Sequence, residues 1–256
     1  MNEEQKIFEL NDVCFAYQDQ AALKNVNLTI RRGEKIAILG ANGCGKTTLL
    51  RVLAGLVPPD SGTFEAFGSA MTKKSLDNER TACGYHRRVG FIFQDSDAQL
   101  FCTSLREEIA FGPLQTGMSQ DEAKQRVNDV AKLLGIEQLL DKAPFNLSGG
   151  EKKKAAIAAV LALSPEVLIL DEPTNGLDPR SQRWLVNLLL TLSRAGKTLI
   201  TSTHNLELVR ELSDHAILFD EDHTIAADEP TGQVLNDAGL LRRVNLVDES
   251  YHAGMG

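Results

Sequence analysis

Short apolar segments separated by polar turns recur along most of this chain, and they predict strands that alternate with helices. In the first part, strands are expected at residues 7–13, 26–30, 35–39, 62–68 and 88–93. In the last part, strands are expected at 167–170, 198–201 and 216–219, with helices at about 179–193 and from residue 205 onward. This alternation predicts a largely parallel α/β sheet.

The middle of the chain has a helical pattern instead, from about residue 105 to 160. Ser119 and Glu122 have the spacing of a capping box, and they should open a helix that runs to Leu134 and ends at Gly135. Residues 69–87 are polar and unpatterned, which predicts a surface loop or a short helix. The sheet is therefore expected to be interrupted by a helical insertion.

Composition narrows the class of protein. A chain of 256 residues with 43% hydrophobic content can bury one sizeable core, which favours one domain with a sub-domain. The net charge of −8 disfavours a dedicated nucleic-acid binder, which would need a basic face. There is no apolar stretch of roughly 20 residues, and residues 1–6 resemble neither a signal nor a transit peptide, so we expect a cytoplasmic protein.

Cysteine and histidine positions do not indicate a structural metal site. The four cysteines are widely spaced, without a C-x-x-C pair, which favours reduced thiols: Cys14, Cys44, Cys83 and Cys102. Residues 83–86 include a cysteine and a histidine, but they are expected in a polar loop without partner ligands. No ligand spacing is seen at His215, His223 or His252.

A glycine-rich loop lies between a predicted strand and a predicted helix. It matches G-x-x-x-x-G-K-[ST] and continues into the helix, with the residues Gly40, Ala41, Asn42, Gly43, Cys44, Gly45, Lys46, Thr47 and Thr48. Backbone N–H groups and the positive end of the helix meet there, which suits a phosphate. We expect Lys46 to bind the terminal phosphates and Thr47 to offer its hydroxyl to Mg²⁺.

The strand at 167–170 ends in two carboxylates, Asp171 and Glu172. Asp171 is placed to hold Mg²⁺ and Glu172 to polarise an attacking water. Taken alone, the pair could equally be solvated acids at the end of a buried strand. The phosphate loop upstream favours the catalytic interpretation.

Residues 147–151, Leu-Ser-Gly-Gly-Glu, resemble the signature motif of ATP-binding cassette (ABC) ATPases. Further motifs of that family match in chain order, at Tyr17, 40–47, Gln94, 171–172, 176–178 and His204. The resemblance covers nearly the whole chain. It implies a P-loop NTPase fold with a RecA-like core and mostly parallel sheet, an N-terminal antiparallel β sub-domain and an inserted α-helical sub-domain. The implied ABC ATPase domain is 1–240, with its core at 1–95 and 164–240, the helical sub-domain at about 96–163, and a C-terminal tail at 241–256.

The resemblance also implies roles for single residues. Tyr17 would stack on adenine, and Gln94 would join Thr47 and Asp171 around Mg²⁺. The implied catalytic residues are Glu172, Gln94 and His204, the last of which would bind the γ-phosphate.

In that family two cassettes pack head to tail, and each site is shared. Ser148, Gly149 and Gly150 of one subunit would close over ATP on the other, with Asp178 nearby. Ser148 also has the spacing of a capping box for a helix at 152–163, and both interpretations can hold. Glu151 and Lys154 stand where the family more often has Gln and Arg, which leaves the turnover rate open.

Residues 94–101, 105–113 and 148–158 resemble ATPases of energy-coupling-factor importers, above all those for cobalt and nickel. This implies a subunit that hydrolyses ATP to power import, bound peripherally at the cytoplasmic face of the membrane. The implied partners are a second ABC ATPase, identical or a close paralogue, a membrane scaffold protein and a membrane substrate-binding protein, with no nucleic acid.

Two alternatives to a metal importer stay open. One is an importer of the same type for a vitamin or another micronutrient. The other is a non-transport ABC ATPase that acts on DNA or ribosomes. A DNA-repair ATPase would need a coiled-coil insertion, and the chain has no heptad run to supply it.

Two further expectations concern side chains near these motifs. Ala98, Leu100, Phe101 and Phe111 offer apolar surface that should receive short cytoplasmic helices of the scaffold, unless they only pack the sub-domain. The helix N-terminus and Lys46 should lower the pKa of Cys44 and make it reactive, unless it is only a small residue tolerated in the loop.

Overall fold

Ten strands form two separate sheets in the computed structural model, which describes residues 5–248. The strands are β1 (Lys6–Tyr17), β2 (Gln20–Arg31), β3 (Lys35–Leu39), β4 (Ser61–Ala66), β5 (Ser69–Ala70), β6 (Val89–Ile92), β7 (Val167–Asp171), β8 (Thr198–Ser202), β9 (His215–Phe219) and β10 (Ile225–Pro230). The start of the chain at 1–4, residues 249–256 of the predicted tail and His252 lie outside the described residues.

The helices lie between the strands and in the predicted insertion. They are α1 (Lys46–Leu53), α2 (Lys73–Leu76), α3 (Glu79–Arg88), α4 (Leu105–Gln115), α5 (Gln120–Leu134), α6 (Gly149–Leu161), α7 (Pro179–Arg194), α8 (Leu206–Leu212), α9 (Thr231–Asn236) and α10 (Ala238–Arg243). Single 3₁₀ turns lie at Glu137–Leu139 and Pro144–Asn146.

The smaller sheet is antiparallel, in the order β2-β1-β4-β5. Its inner face carries large apolar side chains such as Phe8, Leu10 and Phe64, and these pack in one cluster with α1 and the larger sheet. This sheet is the predicted antiparallel β sub-domain. It stands beside the phosphate loop because β2 and β3 are joined by a short turn.

The larger sheet has the order β10-β9-β3-β8-β7-β6, and only the β9–β10 pair is antiparallel. Its strands are short and almost wholly buried, as expected when helices cover both faces. Five parallel strands therefore end at one edge, where binding sites of such sheets form. The predicted α/β class is confirmed.

The helical insertion contains α4, α5 and α6, which share a second apolar cluster with β7 and α7. Ser119 and Glu122 form the predicted capping box at the start of α5. Gly135 ends that helix with a φ of 65°, a left-handed conformation that favours glycine. The predicted boundaries of α5 are therefore those observed.

Of the two structures predicted for residues 69–87, a surface loop or a short helix, the helix is the one observed. These residues contain β5, α2 and most of α3, so the expected loop is wrong for Cys83, which is exposed on the ten-residue helix α3. Asn78 caps α3, and buried Tyr85 donates a hydrogen bond to the Leu53 carbonyl. One aromatic contact with the core thus orders a segment that has no apolar periodicity.

The C-terminal helices α9 and α10 pack at the β9 end of the larger sheet, whereas the helical insertion packs at the β7 end. Helix α10 runs across the predicted boundary at residue 240, and Leu241 and Val244 are buried in a third cluster with β9. Among residues 5–248, no helix is long and apolar enough to span a membrane.

Candidate active site

A cavity of about 740 Å³ opens at the edge where the parallel strands end, a size within the range of small-molecule sites. Most of the predicted site residues line it: Tyr17, Asn42, Gly43, Gly45, Lys46, Thr47, Thr48, Gln94, Asp171, Glu172 and His204. They come together because the phosphate loop, the carboxylates, His204 and Gln94 follow β3, β7, β8 and β6, respectively. The roles given to these residues remain predictions.

The phosphate loop has a conformation that requires its glycines. Gly40, Gly43 and Gly45 have φ values of 145°, 84° and 116°. A Cβ at Gly45 would lie 2.3 Å from the carbonyl oxygen of Ala22, so the loop also touches the antiparallel sheet there. The Lys46 ammonium donates hydrogen bonds to the carbonyls of Gly40 and Ala41 at 2.8 and 2.9 Å, which holds it over the loop.

Asp171 is held by hydroxyl groups from two other elements. Thr47 Oγ1 donates to one carboxylate oxygen at 2.8 Å, and Ser202 Oγ donates to the other at 2.6 Å. Asp171 and Ser202 are register partners in neighbouring strands, so the sheet itself sets this contact. The carboxylate is thereby fixed next to the phosphate loop.

Glu172 is buried, and its carboxylate is only partly satisfied. His204 Nδ1 lies 3.1 Å from Oε1, whereas Oε2 is buried without a hydrogen-bond partner. The backbone has a φ of 42°, an uncommon conformation for a residue with a side chain. Its N–H donates to the Ser202 carbonyl at 3.1 Å, which holds the strained backbone in place. A strained, unsatisfied carboxylate in a cavity is typical of a catalytic group.

The oxygen atoms next to the phosphate loop suit Mg²⁺ bound together with a nucleoside triphosphate. Thr47 and Asp171 supply oxygen atoms, and Mg²⁺ is commonly held by one or two carboxylates together with substrate phosphates and water. Within residues 5–248 there is no cluster of three or more His, Cys, Asp or Glu side chains that could hold a metal ion.

Gln94 lines the cavity, and its backbone is held by a side chain of the helical insertion. Lys153 of α6 donates to the carbonyls of Phe93 and Gln94 at 3.1 and 2.9 Å. Burial lowers the pKa of Lys153, and the nearby carboxylates of Asp95 and Asp171 reduce this shift. A nearly buried ammonium therefore ties α6 to the segment that follows β6.

Tyr17 also lines the cavity and is 42% exposed. Its ring packs edge-on against Phe15, with 4.9 Å between ring centroids, and its hydroxyl accepts a hydrogen bond from Arg51. An exposed, supported aromatic ring is suited to stacking on a base.

The signature residues do not line the cavity of their own chain. Ser148 and Glu151 form the predicted capping box of α6, which begins at Gly149 rather than at the predicted 152. The backbone N–H and hydroxyl of Ser148 lower the pKa of Glu151. Asp178 caps α7, and Ser181 lowers its pKa in the same way. Ser148, Gly149, Gly150 and Asp178 lie outside the cavity lining, as do Gly40, Ala41 and Cys44.

The expected reactivity of Cys44 is wrong. Its side chain is 2% exposed and belongs to the core cluster under the loop. Burial raises the pKa of the thiol, and the opposing effects of Lys46 and its backbone amide are smaller. Charge alone suggested a thiolate, but the loop turns the thiol toward the end of β9 and away from the cavity.

Sequence reasoning missed several cavity residues. Ser202 orients Asp171, and Gln20, Ala21, Ala22, Lys24, Asn175 and His223 line the cavity. His223 was set aside because it has no metal-ligand spacing, yet it follows β9 at the same edge as the other site residues. The sequence did contain a signal that Lys153 is buried. Ala156 and Ile157, three and four residues later, lie on the same face of the helix and are buried apolar residues.

Comparisons with known proteins point to one family. The family profile described as ABC transporter matches residues 23–175. The nickel import ATP-binding protein NikO of Rhodobacter capsulatus is 45% identical over 94% of this chain and 95% of its own length. The energy-coupling factor transporter ATP-binding protein EcfA of Methanothermobacter thermautotrophicus is 37% identical over 94% of this chain and 76% of its own length.

Solved structures share most of the fold. The structure of cbiO1 from Clostridium perfringens, described as part of the ABC transporter complex cbiONQ, has a TM-score of 0.79 at 35% identity, covering 95% of this chain and 96% of its own. The dimeric, post-hydrolysis structure of the ATP-binding cassette MJ0796 bound to ADP and phosphate has a TM-score of 0.79 at 27% identity, covering 88% of this chain and 99% of its own.

Proposed function

The chain belongs to the ABC transporter family as an ATP-binding, ATP-hydrolysing protein, and we propose that it powers an energy-coupling-factor importer for nickel or cobalt ions. The observation that carries the ATPase chemistry is the meeting of four strand ends in one cavity. There the phosphate loop, the Asp171–Glu172 pair, His204 and Gln94 line the same cavity.

The residues divide the work of hydrolysis among them. The loop amides and Lys46 bind the phosphates, and Tyr17 stacks on the adenine. Glu172 accepts a proton from the attacking water through Oε2, while His204 fixes Oε1. Mg²⁺, bound by Thr47, Asp171 and Gln94, would neutralise charge on the phosphates.

The choice of nickel or cobalt rests on similarity. Relatives at 45% and 35% identity carry nickel import and cbiO names and match nearly the whole chain. This subunit does not need to touch the ion, because its cavity carries nucleotide-binding groups and the ion would pass through membrane partners.

A second cassette is proposed to complete each active site. Ser148 and the amide end of α6 lie outside the chain's own cavity, and a partner packed head to tail would bring the equivalent groups to the γ-phosphate. A dimeric relative with bound ADP and phosphate supports this arrangement.

The membrane scaffold is proposed to dock on the helical insertion. Phe101 is 67% exposed, and its ring meets that of Phe111 edge-on, with 5.0 Å between centroids. The buried carboxylate of Glu108 accepts hydrogen bonds from the N–H groups of Phe101 and Cys102 at 2.9 and 2.8 Å. The backbone that carries Phe101 is thus held rigidly while its ring faces solvent, which suits docking of an amphipathic helix at the membrane's cytoplasmic face.

The ATPase assignment is tested with Glu172→Gln. This change keeps the shape and the contact with His204 but removes the base, so kcat should fall by about 10²- to 10⁴-fold while the Kd for ATP changes little. Phosphate release and equilibrium binding measure the two quantities. Glu166→Gln is the matched control, because that carboxylate pairs with Arg32 and Arg88 at the opposite edge of the sheet. Parent-rate hydrolysis by Glu172→Gln would remove the role given to Glu172.

The substrate is tested by uptake of nickel, cobalt and vitamins into cells that lack their own importers. The chain is expressed together with its membrane partners, and Glu172→Gln serves as the inactive control. Uptake of nickel or cobalt that stops in the variant supports the proposal. Uptake of only a vitamin would assign a different importer of the same type.

A further inference from the structure

The chain segment from Glu172 to Asp178 connects the nucleotide cavity with the start of α7. Glu172 follows β7 and lines the cavity, whereas Asp178 caps α7 outside it. Asn175, which lies between them in the sequence, also lines the cavity. The conformation of this segment therefore affects the proposed base.

Glu172 has a strained backbone that its neighbours must hold. Its φ of 42° is uncommon for a residue with a side chain and persists only where the surroundings fix it. On one side, its N–H donates to the carbonyl and the hydroxyl of Ser202 at 3.1 and 3.0 Å. On the other side, its carbonyl accepts a hydrogen bond from the Asn175 N–H at 3.2 Å. Strand β8 thus holds one side of this backbone, and the turn after Glu172 holds the other.

A side chain of α7 fixes that turn. The Leu177 N–H donates to the Thr174 carbonyl at 3.2 Å, which closes the turn. The amide nitrogen Nε2 of Gln182 donates to the carbonyls of Leu177 and Thr174 at 3.0 and 3.4 Å. Gln182 is half-buried and lies outside the lining of the nucleotide cavity. Its side chain therefore ties the turn to the helix that follows it.

The start of α7 is a firm anchor for this side chain. The Asp178 carboxylate accepts hydrogen bonds from the N–H groups of Arg180 and Ser181 at 2.9 and 3.0 Å and from the Ser181 hydroxyl at 2.6 Å. A Cβ on Gly150 of α6 would lie only 2.9 Å from the Ser181 hydroxyl oxygen. The first turn of α7 is thus capped and packed closely against α6.

The two contacts with the turn require a hydrogen-bond donor at residue 182. Carbonyl oxygens only accept, so both contacts use the N–H₂ group of the Gln182 amide. Methionine is also unbranched and has a similar helix propensity, but it has no donor. Lysine is unbranched as well and keeps a donor. The two substitutions therefore separate hydrogen bonding from packing.

We propose that Gln182 is a positioning residue for hydrolysis, which holds the carbonyls of Thr174 and Leu177 and thereby fixes the backbone that carries the Glu172 carboxylate. The inference rests on the proposed role of Glu172 as the base. It adds a residue of α7, outside the cavity, to those on which the rate of hydrolysis depends.

Gln182→Met in the full chain tests the proposal. Loss of both hydrogen bonds should displace Glu172 and lower kcat about 10- to 100-fold. The Kd for ATP should change little, because the phosphate loop and Tyr17 keep their contacts. Gln182→Lys keeps a donor, so its kcat should return to near the parent value. Phosphate release and equilibrium binding measure these quantities, and a thermal melt measures the stability of each variant.

Gln138→Met is the matched control, because the Gln138 amide donates to the Gly135 carbonyl at 3.4 Å at the end of α5, away from the cavity. It should keep the parent kcat. A parent-like kcat in Gln182→Met would overturn the proposal, even with a lower thermal midpoint, since the contact would then only stabilise the fold. A Gln182→Lys variant as slow as Gln182→Met would also overturn it, since packing and not the donor would then matter.

Combining Gln182→Met with Glu172→Gln tests whether Gln182 acts through the base. The double variant should hydrolyse ATP at the same residual rate as Glu172→Gln alone, because no base is left to position. A further fall in the residual rate would overturn the action through Glu172. Parent-rate hydrolysis by Glu172→Gln alone would instead overturn the proposed role of the base, so the two failures are distinguishable.

Discussion

At the scale of single residues, burial decides the chemistry of this site more strongly than nearby charge does. Cys44 has Lys46 two residues away, yet burial raises its pKa. Glu172 is also buried, but it lines the cavity and one of its carboxylate oxygens has no hydrogen-bond partner. The direction in which a side chain points separates a packing residue from a chemical one.

Thiol labelling tests this distinction. A small maleimide should modify exposed Cys83 first, while Cys44 stays unmodified in the folded protein, because only exposed thiolates react quickly. Peptide mass mapping at intervals measures both sites, and labelling in denaturant is the control that all four thiols can react. ATPase activity should survive modification of Cys83. Rapid labelling of Cys44 that ATP prevents would contradict the assignment.

At the scale of elements, α6 links the nucleotide cavity to the helical insertion. Lys153 binds the carbonyls of Phe93 and Gln94. Lys152, one position earlier on α6, forms a partly exposed ion pair with Asp97. Glu108 of α4 then binds the backbone at Phe101 and Cys102. Buried charged side chains therefore hold the segment 93–102 at both ends. This segment connects Gln94 in the cavity with Phe101 on the proposed docking surface.

Lys153→Met tests the first of these contacts. The substitution keeps the apolar stem but leaves two carbonyls without their donor, which should lower the free energy of unfolding by about 1–3 kcal/mol. Displacement of Gln94 should lower kcat roughly 10- to 100-fold with little change in the Kd for ATP. Denaturant melts and steady-state kinetics provide the measurements. Lys152→Met, which removes only a surface ion pair, should stay near the parent. A parent-like kcat in Lys153→Met would show that the contact has no positioning role.

At the scale of the whole molecule, the chain has binding groups that its own cavity does not use. None of three such groups lines that cavity: the amide end of α6 at Ser148, the Asp178 cap of α7 and the ring of Phe101. Three such surfaces on one subunit fit an assembly with another cassette and a membrane scaffold.

Ser148→Arg tests the shared site. The arginine would block closure by a second subunit, so ATPase activity should fall at least 100-fold while the isolated chain still binds ATP. Ser119→Arg is the matched control, because it removes the same kind of capping box from α5, away from the cavity. Loss of that cap should lower the free energy of unfolding by about 1 kcal/mol. Undiminished activity in Ser148→Arg would refute the shared site.

Phe101→Asp tests the docking surface. A charge there should prevent co-purification with the membrane scaffold and leave the thermal midpoint unchanged, because the ring is largely exposed. Leu133→Asp places a charge on another exposed apolar residue, on α5, and should not affect the complex. Retained co-purification of Phe101→Asp would remove this surface from the proposal.

The sequence alone determined the fold class and most of the candidate site. The phosphate loop, the Asp171–Glu172 pair and the capping boxes at Ser119 and Ser148 depend on residue types at fixed short spacings, which set backbone conformation locally. The five parallel strands, β3 and β6 to β9, were predictable because buried parallel strands are short apolar runs between turns, whereas β5 and β10 were not predicted.

Only the tertiary structure decided which side chains face the cavity. Residues 69–87 become ordered through the contact of Tyr85 with the core, and the thiol of Cys44 is buried by the packing of the phosphate loop. Ser202 and His223 reach the phosphate loop because β8 and β9 lie beside β3 in the sheet. Both residues are more than 150 positions after β3 in the sequence. Strand order brings such residues together, and no local spacing in the sequence records it.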